Sequence, residues 1–359
     1  VIAEDITRSF GDAARLEVSA DKSALRADGR DIAYIEVSAL DSDGNFCANA
    51  GNRVNVTVEG AGRLLGLDNG DSTDYDQYKG TSRRLFSGKM LAVIGSVRES
   101  GGITVRFTSP GLPDSVIRLD SVPAAEIPGA SCSERVSAAP TECGRTDEIP
   151  VRKIELRADR LLFTEDCREI RVTPVIFPAN ADYADDIEYR ITTETGIVTG
   201  AAEFTQEPDG AVTVRAKGDG VFCLRAMCRN GTGKYHILSV LPFRAEGLGS
   251  AVTDPYTFVP GGLYTRASDN LCQGVNKGIC FGFGASTWAA FDNVDFGSGA
   301  DSVTVPIWAN TLDPVKIRFY DGIPGEGRLL GEYTYHKQPE WMVFKPETFR
   351  LPEILRGIH

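Results

Sequence analysis

The chain has 359 residues, which at roughly 150 residues per domain predicts two or three domains, each large enough to bury a core. Hydrophobic residues make up 42% and charged residues 25% of the sequence, values that fit a globular protein and exclude both disorder and a membrane-embedded chain. With 38 Lys and Arg against 50 Asp and Glu, the net charge of -12 would repel polyphosphates and anionic lipid surfaces. We therefore expect neither nucleic acid nor a membrane as a partner.

No segment approaches the roughly 20 consecutive apolar residues of a membrane-spanning helix. Residues 1–5 lack the basic and apolar regions of a signal peptide. Because the sequence begins with Val1 and not with Met, we expect it to belong to a longer chain. The compartment stays open between the cytoplasm and secretion.

Apolar and polar residues alternate through most of the chain, which is the pattern of half-buried β-strands. The alternation is clear at 53–58 and 102–108 in the first part of the chain and at 303–307 and 315–319 in the last part. Clusters of Gly, Asn and Asp, as at 68–71, separate the runs and supply tight turns. Short strands at this spacing predict an all-β protein made of sandwiches.

Composition divides the chain into three β units and one connecting stretch. Residues 121–150 are rich in Pro, Ala and Ser and lack alternation, so we predict a linker there. The first unit is then 1–120 and the second is 151–243, with its last strand predicted at 221–228. The third unit, 244–359, has more glycine and contains all three tryptophans.

Eight cysteines are scattered along the chain without a Cys-x-x-Cys pair. Dispersed cysteines in a long chain predict mostly free thiols. Cys132 and Cys143, within the predicted linker, are the pair that we would test first for a disulfide.

The sequence does not favour a zinc or calcium site. The three histidines, His236, His336 and His359, are too far apart for a zinc ligand set. Residues 41–45 begin like a calcium loop, but Phe46 stands where that loop needs glycine and the closing glutamate is absent.

Acidic residues crowd the segment 68–76. Paired carboxylates are what glycoside hydrolysis requires, as one acid and one base or nucleophile. A solvated acidic loop is our first interpretation of this segment, because nothing in the sequence predicts an apolar pocket that would raise the pKa of one carboxyl.

Aromatic residues gather in the third unit around the three tryptophans. Exposed aromatic faces can stack on the C–H faces of sugar rings, while amide and carboxylate side chains take the hydroxyls. The alternative is that these side chains fill the core. The set is Trp288, Trp308, Trp341, Phe281, Phe283, Phe291 and Tyr264.

Four ordered segments in the first unit carry a family resemblance: 25–35 (LRADGRDIAYI), 41–45 (DSDGN), 66–71 (GLDNGD) and 84–94 (RLFSGKMLAVI). With these segments the chain resembles, from Leu16 to about residue 110, the immunoglobulin-like domain near the C-terminus of bacterial glycoside hydrolase family 2 enzymes, chiefly β-galactosidases. The segments are strands and turns, so they specify a fold and carry no chemistry by themselves.

The remaining two units resemble other bacterial modules. Around 172–181 the second unit is similar to bacterial immunoglobulin-like modules. The segments 288–301 and 315–321 resemble a family 6 carbohydrate-binding module, which implies a β jelly roll. In that resemblance Trp341 stands where a stacking aromatic is expected, and Glu246 stands where an acidic ligand of a structural calcium would lie.

Together the resemblances imply the non-catalytic C-terminal region of a family 2 β-galactosidase-like enzyme, with tandem immunoglobulin-like sandwiches followed by a jelly roll. The catalytic barrel of that family has no counterpart in the sequence, so we expect no catalytic residue and no required cofactor. The expected partners are the catalytic domain of the parent enzyme, a second copy of the chain and carbohydrate. The candidate sugar contacts are Trp288, Trp341, Phe281 and Tyr264, and the candidate calcium ligand is Glu246.

Three alternatives stay open. The chain could be a stand-alone carbohydrate-binding or adhesion fragment in which Trp288 and Trp341 hold sugar. The parent could be of the β-glucuronidase type. The acidic segment 68–76 could itself catalyse hydrolysis.

Overall fold

The computed structural model describes residues 8–125, 146–275, 278–281 and 286–359. Nearly all regular structure in these ranges is β-strand, and two short 3₁₀ turns lie at Ala184–Asp186 and Gly261–Leu263. The predicted all-β fold is confirmed. No helix in these ranges is long and apolar enough to cross a membrane.

Two sheets form the first sandwich. One sheet has the strand order β1-β3-β7-β5, with β1 at Arg15–Ala20, β3 at Ile32–Leu40, β7 at Lys89–Ser96 and β5 at Gly62–Asp68. The other has the order β2-β9-β8-β4-β6, with β2 at Ala24–Arg26, β9 at Leu112–Val122, β8 at Gly101–Ser109, β4 at Arg53–Gly60 and β6 at Ser82–Arg84. Neighbouring strands are antiparallel in the first sheet, whereas β2 pairs in parallel with β9.

Alternate residues of these strands fill the core of the first sandwich. Val54 and Val56 on β4 are buried, and so are Ile103, Val105 and Phe107 on β8, as the alternation predicts. The facing sheet contributes buried side chains from β3 and β7: Ala33, Ile35, Val37, Ala92 and Ile94.

The second sandwich also has two sheets of four strands. One has the order β10-β12-β15-β14, with β10 at Lys153–Ala158, β12 at Glu169–Phe177, β15 at Val212–Ala216 and β14 at Ala202–Gln206. The other has the order β11-β17-β16-β13, with β11 at Leu162–Phe163, β17 at Ile237–Ala245, β16 at Gly220–Cys228 and β13 at Ile187–Thr192. The prediction that 221–228 is the last strand of this unit was wrong, because β17 follows it in the same sheet.

Three phenylalanines form the centre of the second core. The ring centroids of Phe163 and Phe243 are 5.4 Å apart, and Phe222 lies 5.6 Å from Phe163 and 5.8 Å from Phe243. All three are at most 2% exposed. Edge and tilted ring contacts at these distances add to the stabilisation that burial supplies.

Four antiparallel strand pairs make up the described part of the C-terminal region. They are β18 at Arg266–Ala267 with β21 at Ala289–Ala290, β19 at Cys272–Gln273 with β20 at Ile279–Cys280, β22 at Ala300–Ile307 with β25 at Lys345–Leu355, and β23 at Val315–Asp321 with β24 at Arg328–Tyr335. Leu330, Leu351 and Leu355 form a small buried cluster between the longer strands. The jelly-roll arrangement stays a prediction.

The chain divides into two compact units. The first takes its described residues from Val1–Glu155, Val175–Glu188 and Ala226–Ser239. The second takes them from Leu156–Pro174, Tyr189–Arg225 and Val240–His359. The domain boundaries that we predict at 120, 150 and 243 stay predictions.

Six cysteines are free in the described ranges: Cys47, Cys167, Cys223, Cys228, Cys272 and Cys280. The predicted pair Cys132 and Cys143 lies outside the described residues.

Candidate functional site

An aromatic cluster lies at one end of the β22/β25 pair. We use this name for Trp308, Trp341 and Phe344. The ring centroids of Trp308 and Trp341 are 5.2 Å apart with the rings at 82°, and Trp308 and Phe344 are 6.1 Å apart at 66°. Because Ile307 pairs with Lys345, Trp308 and Phe344 follow and precede the last paired residues of the two strands. The ladder end therefore brings these aromatic rings together.

Trp341 is the most exposed member of this aromatic cluster, since 75% of its surface faces solvent against 37% for Phe344. It lies in a tight turn in which the Val343 N–H donates to the Glu340 carbonyl at 3.1 Å. The next residue, Met342, has φ of 59°, a backbone conformation that glycine adopts readily and other residues rarely. A strained backbone residue persists only where its surroundings enforce it, and such residues concentrate at functional sites.

Two charged side chains, Glu340 and Lys345, lie close to Trp341 in the sequence. Lys345 Nζ lies 3.4 Å from a carboxylate oxygen of Glu340 and donates to the Gln338 carbonyl at 3.4 Å. Glu340 is exposed and Lys345 is half-buried. The segment thus combines an exposed aromatic ring with a carboxylate and an ammonium group nearby in the chain, groups that can stack on a sugar ring and hydrogen-bond its hydroxyls.

The other predicted sugar contacts flank the short strands β18, β20 and β21, outside the β22/β25 pair. Trp288 is half-buried, and its backbone N–H donates to Ser268 Oγ at 3.1 Å. Tyr264, 40% exposed, precedes β18, and Phe281, 51% exposed, follows β20. In the described residues no ring contact joins any of them to Trp341. Phe283 lies outside the described residues.

Glu246, the predicted calcium ligand, is paired with an arginine. Its Oε1 lies 2.5 Å from Arg244 Nε. Within 8–125, 146–275, 278–281 and 286–359, no group of three or more His, Cys, Asp or Glu side chains is arranged to hold a metal ion. The predicted calcium therefore finds no ligand set in those ranges.

Two carboxylates of the acidic segment 68–76 are held by buried arginines. Asp74 Oδ2 lies 3.1 Å from Arg83 Nη2, and Asp76 pairs with Arg53 Nη1. Arg83 is 1% and Arg53 4% exposed. Because both carboxylates neutralise buried guanidinium groups, they stabilise the first unit. Catalysis by this segment stays a hypothesis.

Asp41 is the first residue of the segment 41–45, which begins like a calcium loop. Its carboxylate accepts hydrogen bonds from the backbone N–H groups of Gly11, Asp43 and Asn45 at 2.7–3.0 Å. The hydrogen bond from the Gly11 N–H is the largest contribution that lowers the pKa of Asp41, which reaches about 2. Backbone N–H groups thus occupy the oxygen atoms that a calcium ion would need.

Glu148 is the buried group that the sequence interpretation missed. It falls in the stretch where we expected a linker, yet it is 2% exposed. Its Oε1 accepts hydrogen bonds from Arg53 Nε at 3.0 Å and from Arg84 Nε at 2.6 Å. Its Oε2 accepts from Arg84 Nη2 at 2.6 Å and from the Tyr183 hydroxyl at 2.5 Å.

The pKa of Glu148 is set by competing effects. Burial alone would raise this pKa, but hydrogen bonds from Arg84 and Tyr183 and the charges of Arg84 and Arg53 outweigh it and lower the pKa below 4.5. The carboxylate therefore stays ionised and ties the first sandwich to 175–188, which belongs to the same compact unit.

A family match identifies the first sandwich. The family described as glycoside hydrolase family 2 C-terminal domain 5 matches residues 16–118. This confirms the resemblance that we found in the sequence of the first unit.

Two curated relatives and one solved structure are each similar to about a third of the chain or less. Beta-galactosidase BoGH2A of Bacteroides ovatus is 36% identical over 121 residues, which is 34% of this chain and 14% of that protein. A beta-glucuronidase of Formosa agariphila is 32% identical over 101 residues, covering 27% of this chain and 10% of that protein. The crystal structure of a glycosyl hydrolase family 2 member from Bacteroides cellulosilyticus is 29% identical, covers 32% of this chain and 15% of that one, and has a TM-score of 0.31. The chain thus spans only a small part of the length of each relative.

Proposed function

We propose that the chain is a non-catalytic accessory region of a bacterial family 2 glycoside hydrolase and that it binds carbohydrate at the aromatic cluster. The match of residues 16–118 to a C-terminal domain of that family carries the first half of this proposal. Such a domain accompanies a catalytic domain in the parent enzyme, which is therefore the expected partner. In the parent enzyme, this region would support the catalytic domain and form contacts between copies of the enzyme.

A parent of the β-galactosidase type is our first choice, and the β-glucuronidase type is the second. The galactosidase relative shares more identity over a longer alignment, 36% over 121 residues against 32% over 101. The two alignments cover only 14% and 10% of those relatives, so the choice of sugar depends on parts of the parent that these alignments do not cover.

The proposal of carbohydrate binding rests on the exposure and the setting of Trp341. A tryptophan that is 75% exposed gains little from burial in the folded chain, and the positive φ of Met342 adds a conformational cost to the turn that presents it. Stacking of a sugar ring on this face would bury the exposed apolar surface. A stand-alone carbohydrate-binding or adhesion fragment would use the same site, and it remains the alternative.

Replacing Trp341 with alanine is expected to weaken oligosaccharide binding by about fivefold, because an aromatic stacking contact contributes on the order of 1 kcal/mol. Isothermal titration calorimetry of the 359-residue chain with galacto-, xylo- and gluco-oligosaccharides measures this loss. Phe258→Ala is the matched control, since Phe258 lies in the same compact unit and is 76% exposed. Absence of binding to all three sugar classes, or equal affinities of the wild type and Trp341→Ala, would contradict the assignment.

A further inference from the structure

Two exposed cysteines lie directly opposite each other in the short β19/β20 pair. Cys272 is the Cα partner of Cys280, and Gln273 is the partner of Ile279. The ladder continues beyond these residues, since the Gly274 N–H donates to the Gly278 carbonyl at 3.0 Å. Both cysteines are free and exposed.

The antiparallel register meets the main requirement of a disulfide. Residues directly opposite in such a pair project to the same side of the ladder, with Cα atoms about 4.5–5.5 Å apart. A disulfide requires Cα atoms about 4.4–6.8 Å apart. The register therefore places the two Cα atoms within the range that a disulfide requires.

Exposure distinguishes this pair from the buried cysteines in the described ranges. Cys47, Cys223 and Cys228 are at most 2% exposed, and burial raises the pKa of each of these thiols. A raised pKa lowers the fraction of reactive thiolate, and burial blocks an incoming reagent. Cys272 Sγ makes a weak, 3.9 Å contact with the Asn270 carbonyl, which its rotation toward Cys280 would give up.

We propose that Cys272 and Cys280 form a redox-active pair that closes to an intramolecular disulfide by exchange with a small-molecule disulfide such as oxidised glutathione. The thiolate of one cysteine attacks a glutathione sulfur, breaks the S–S bond and releases one reduced glutathione as the leaving thiolate. The thiolate of the other cysteine then attacks the protein sulfur of this mixed disulfide and releases the second reduced glutathione. Two protein thiols are oxidised, one glutathione disulfide is reduced, and the two protein protons end on the released thiolates.

The bridge would brace the segment that leads to Phe281. Phe281 follows Cys280 directly, and Ile279 packs so closely on Gly261 that a Cβ atom there would lie 3.3 Å from the Ile279 nitrogen. The Gly261 carbonyl in turn accepts a hydrogen bond from the Tyr264 N–H. Closing the disulfide therefore fixes β20 between two exposed aromatic residues, whether or not these residues contact sugar.

Peptide mapping of the full 359-residue chain tests the pair directly. The chain is reduced, desalted, equilibrated with excess oxidised glutathione, quenched with N-ethylmaleimide, denatured and digested with trypsin. Cleavage after Arg266, Lys277 and Lys316 places the two cysteines on separate peptides, 267–277 and 278–316. We expect mass spectrometry to find these peptides linked before reduction and separate after it.

Three variants complete the test. Cys272→Ser and Cys280→Ser should each abolish the linked peptide and leave the remaining cysteine as a mixed disulfide with glutathione. Cys167→Ser, which removes a half-exposed cysteine elsewhere, should leave the linked peptide unchanged. The inference is overturned if the wild-type peptides separate without reductant, each carrying glutathione or N-ethylmaleimide, or if either cysteine is linked to a different one.

Discussion

Replacing Glu148 with alanine is expected to lower the free energy of unfolding of the first compact unit by about 3 kcal/mol. The carboxylate is the shared partner of Arg53 and Arg84 and also accepts the hydroxyl of Tyr183. Its removal leaves two guanidinium groups that are 4% and 17% exposed with one carboxylate fewer. A buried charge without a partner destabilises the folded state strongly. This penalty is larger than the stability that the intact ion-pair network adds relative to apolar side chains of the same size. Urea denaturation followed by circular dichroism measures the loss.

The same residue gives the stability of the first unit a defined pH dependence. The folded-state pKa of Glu148 is lowered from 4.5, so its ionised form binds the arginines and its contribution is complete above the unfolded value. That contribution is lost as the pH falls below 4.5 and through the folded-state pKa. The difference in stability between the wild type and Glu148→Gln should accordingly be largest near neutral pH and shrink below pH 4.5.

Glu36→Ala is the matched control for Glu148. Glu36 pairs with Lys89 at 2.5 Å, but both side chains are 51% exposed. Solvent screens such a pair, and we expect its removal to cost about 0.5 kcal/mol or less. Equal losses for the two variants would show that the Glu148 network has no special role in holding the first unit together.

Replacing Phe222 with alanine is expected to destabilise the second sandwich by about 4 kcal/mol. The ring is fully buried and contacts the rings of both Phe163 and Phe243. Truncation removes the transfer free energy of the ring and leaves a cavity that strands on two sheets cannot close. The same denaturation measurement applies.

The neighbouring residue on β16 supplies the control for Phe222. Val221 is 49% exposed and projects to the opposite side of the strand, so Val221→Ala should change the free energy of unfolding by about 0.5 kcal/mol or less. A loss below about 1 kcal/mol for Phe222→Ala would mean that the three rings do not form the centre of the core.

The sandwich strands could be predicted because each strand buries one face, so apolar residues occupy every second position of its sequence. Val54 and Val56 show this on β4, as do Ile103 and Val105 on β8. The strand β17 was missed, and it contains Pro242, a residue that interrupts the ladder of a central strand. The neighbouring β11 pairs only with Arg244 and Ala245, so Pro242 lies outside that pairing.

Ion pairs between residues far apart in the chain produce no comparable pattern in the sequence. Glu148 is bound by side chains from positions 53, 84 and 183, and no local pattern links these residues in the sequence. Its setting among Pro, Ala and Ser predicted solvent exposure, whereas two arginines supply enough charge to hold it in a buried site. The role of Asp74 and Asp76 was hidden for the same reason, because their arginine partners belong to other strands.

The candidate site was predicted in part. Trp341 was singled out from the sequence, and its exposure fits a binding role. That Trp308 and Phe344 are its neighbours depends on the register of β22 with β25, which composition alone does not determine. A residue with positive φ at Met342 was likewise invisible, because methionine carries no turn signal.

We propose above all that this chain accompanies a reaction centre and does not contain one. Turnover of nitrophenyl galactoside and nitrophenyl glucuronide by the purified 359-residue chain tests that proposal most directly. We predict no hydrolysis above the buffer background at any protein concentration. Hydrolysis that rises in proportion to the chain and disappears when the chain is unfolded would contradict the account.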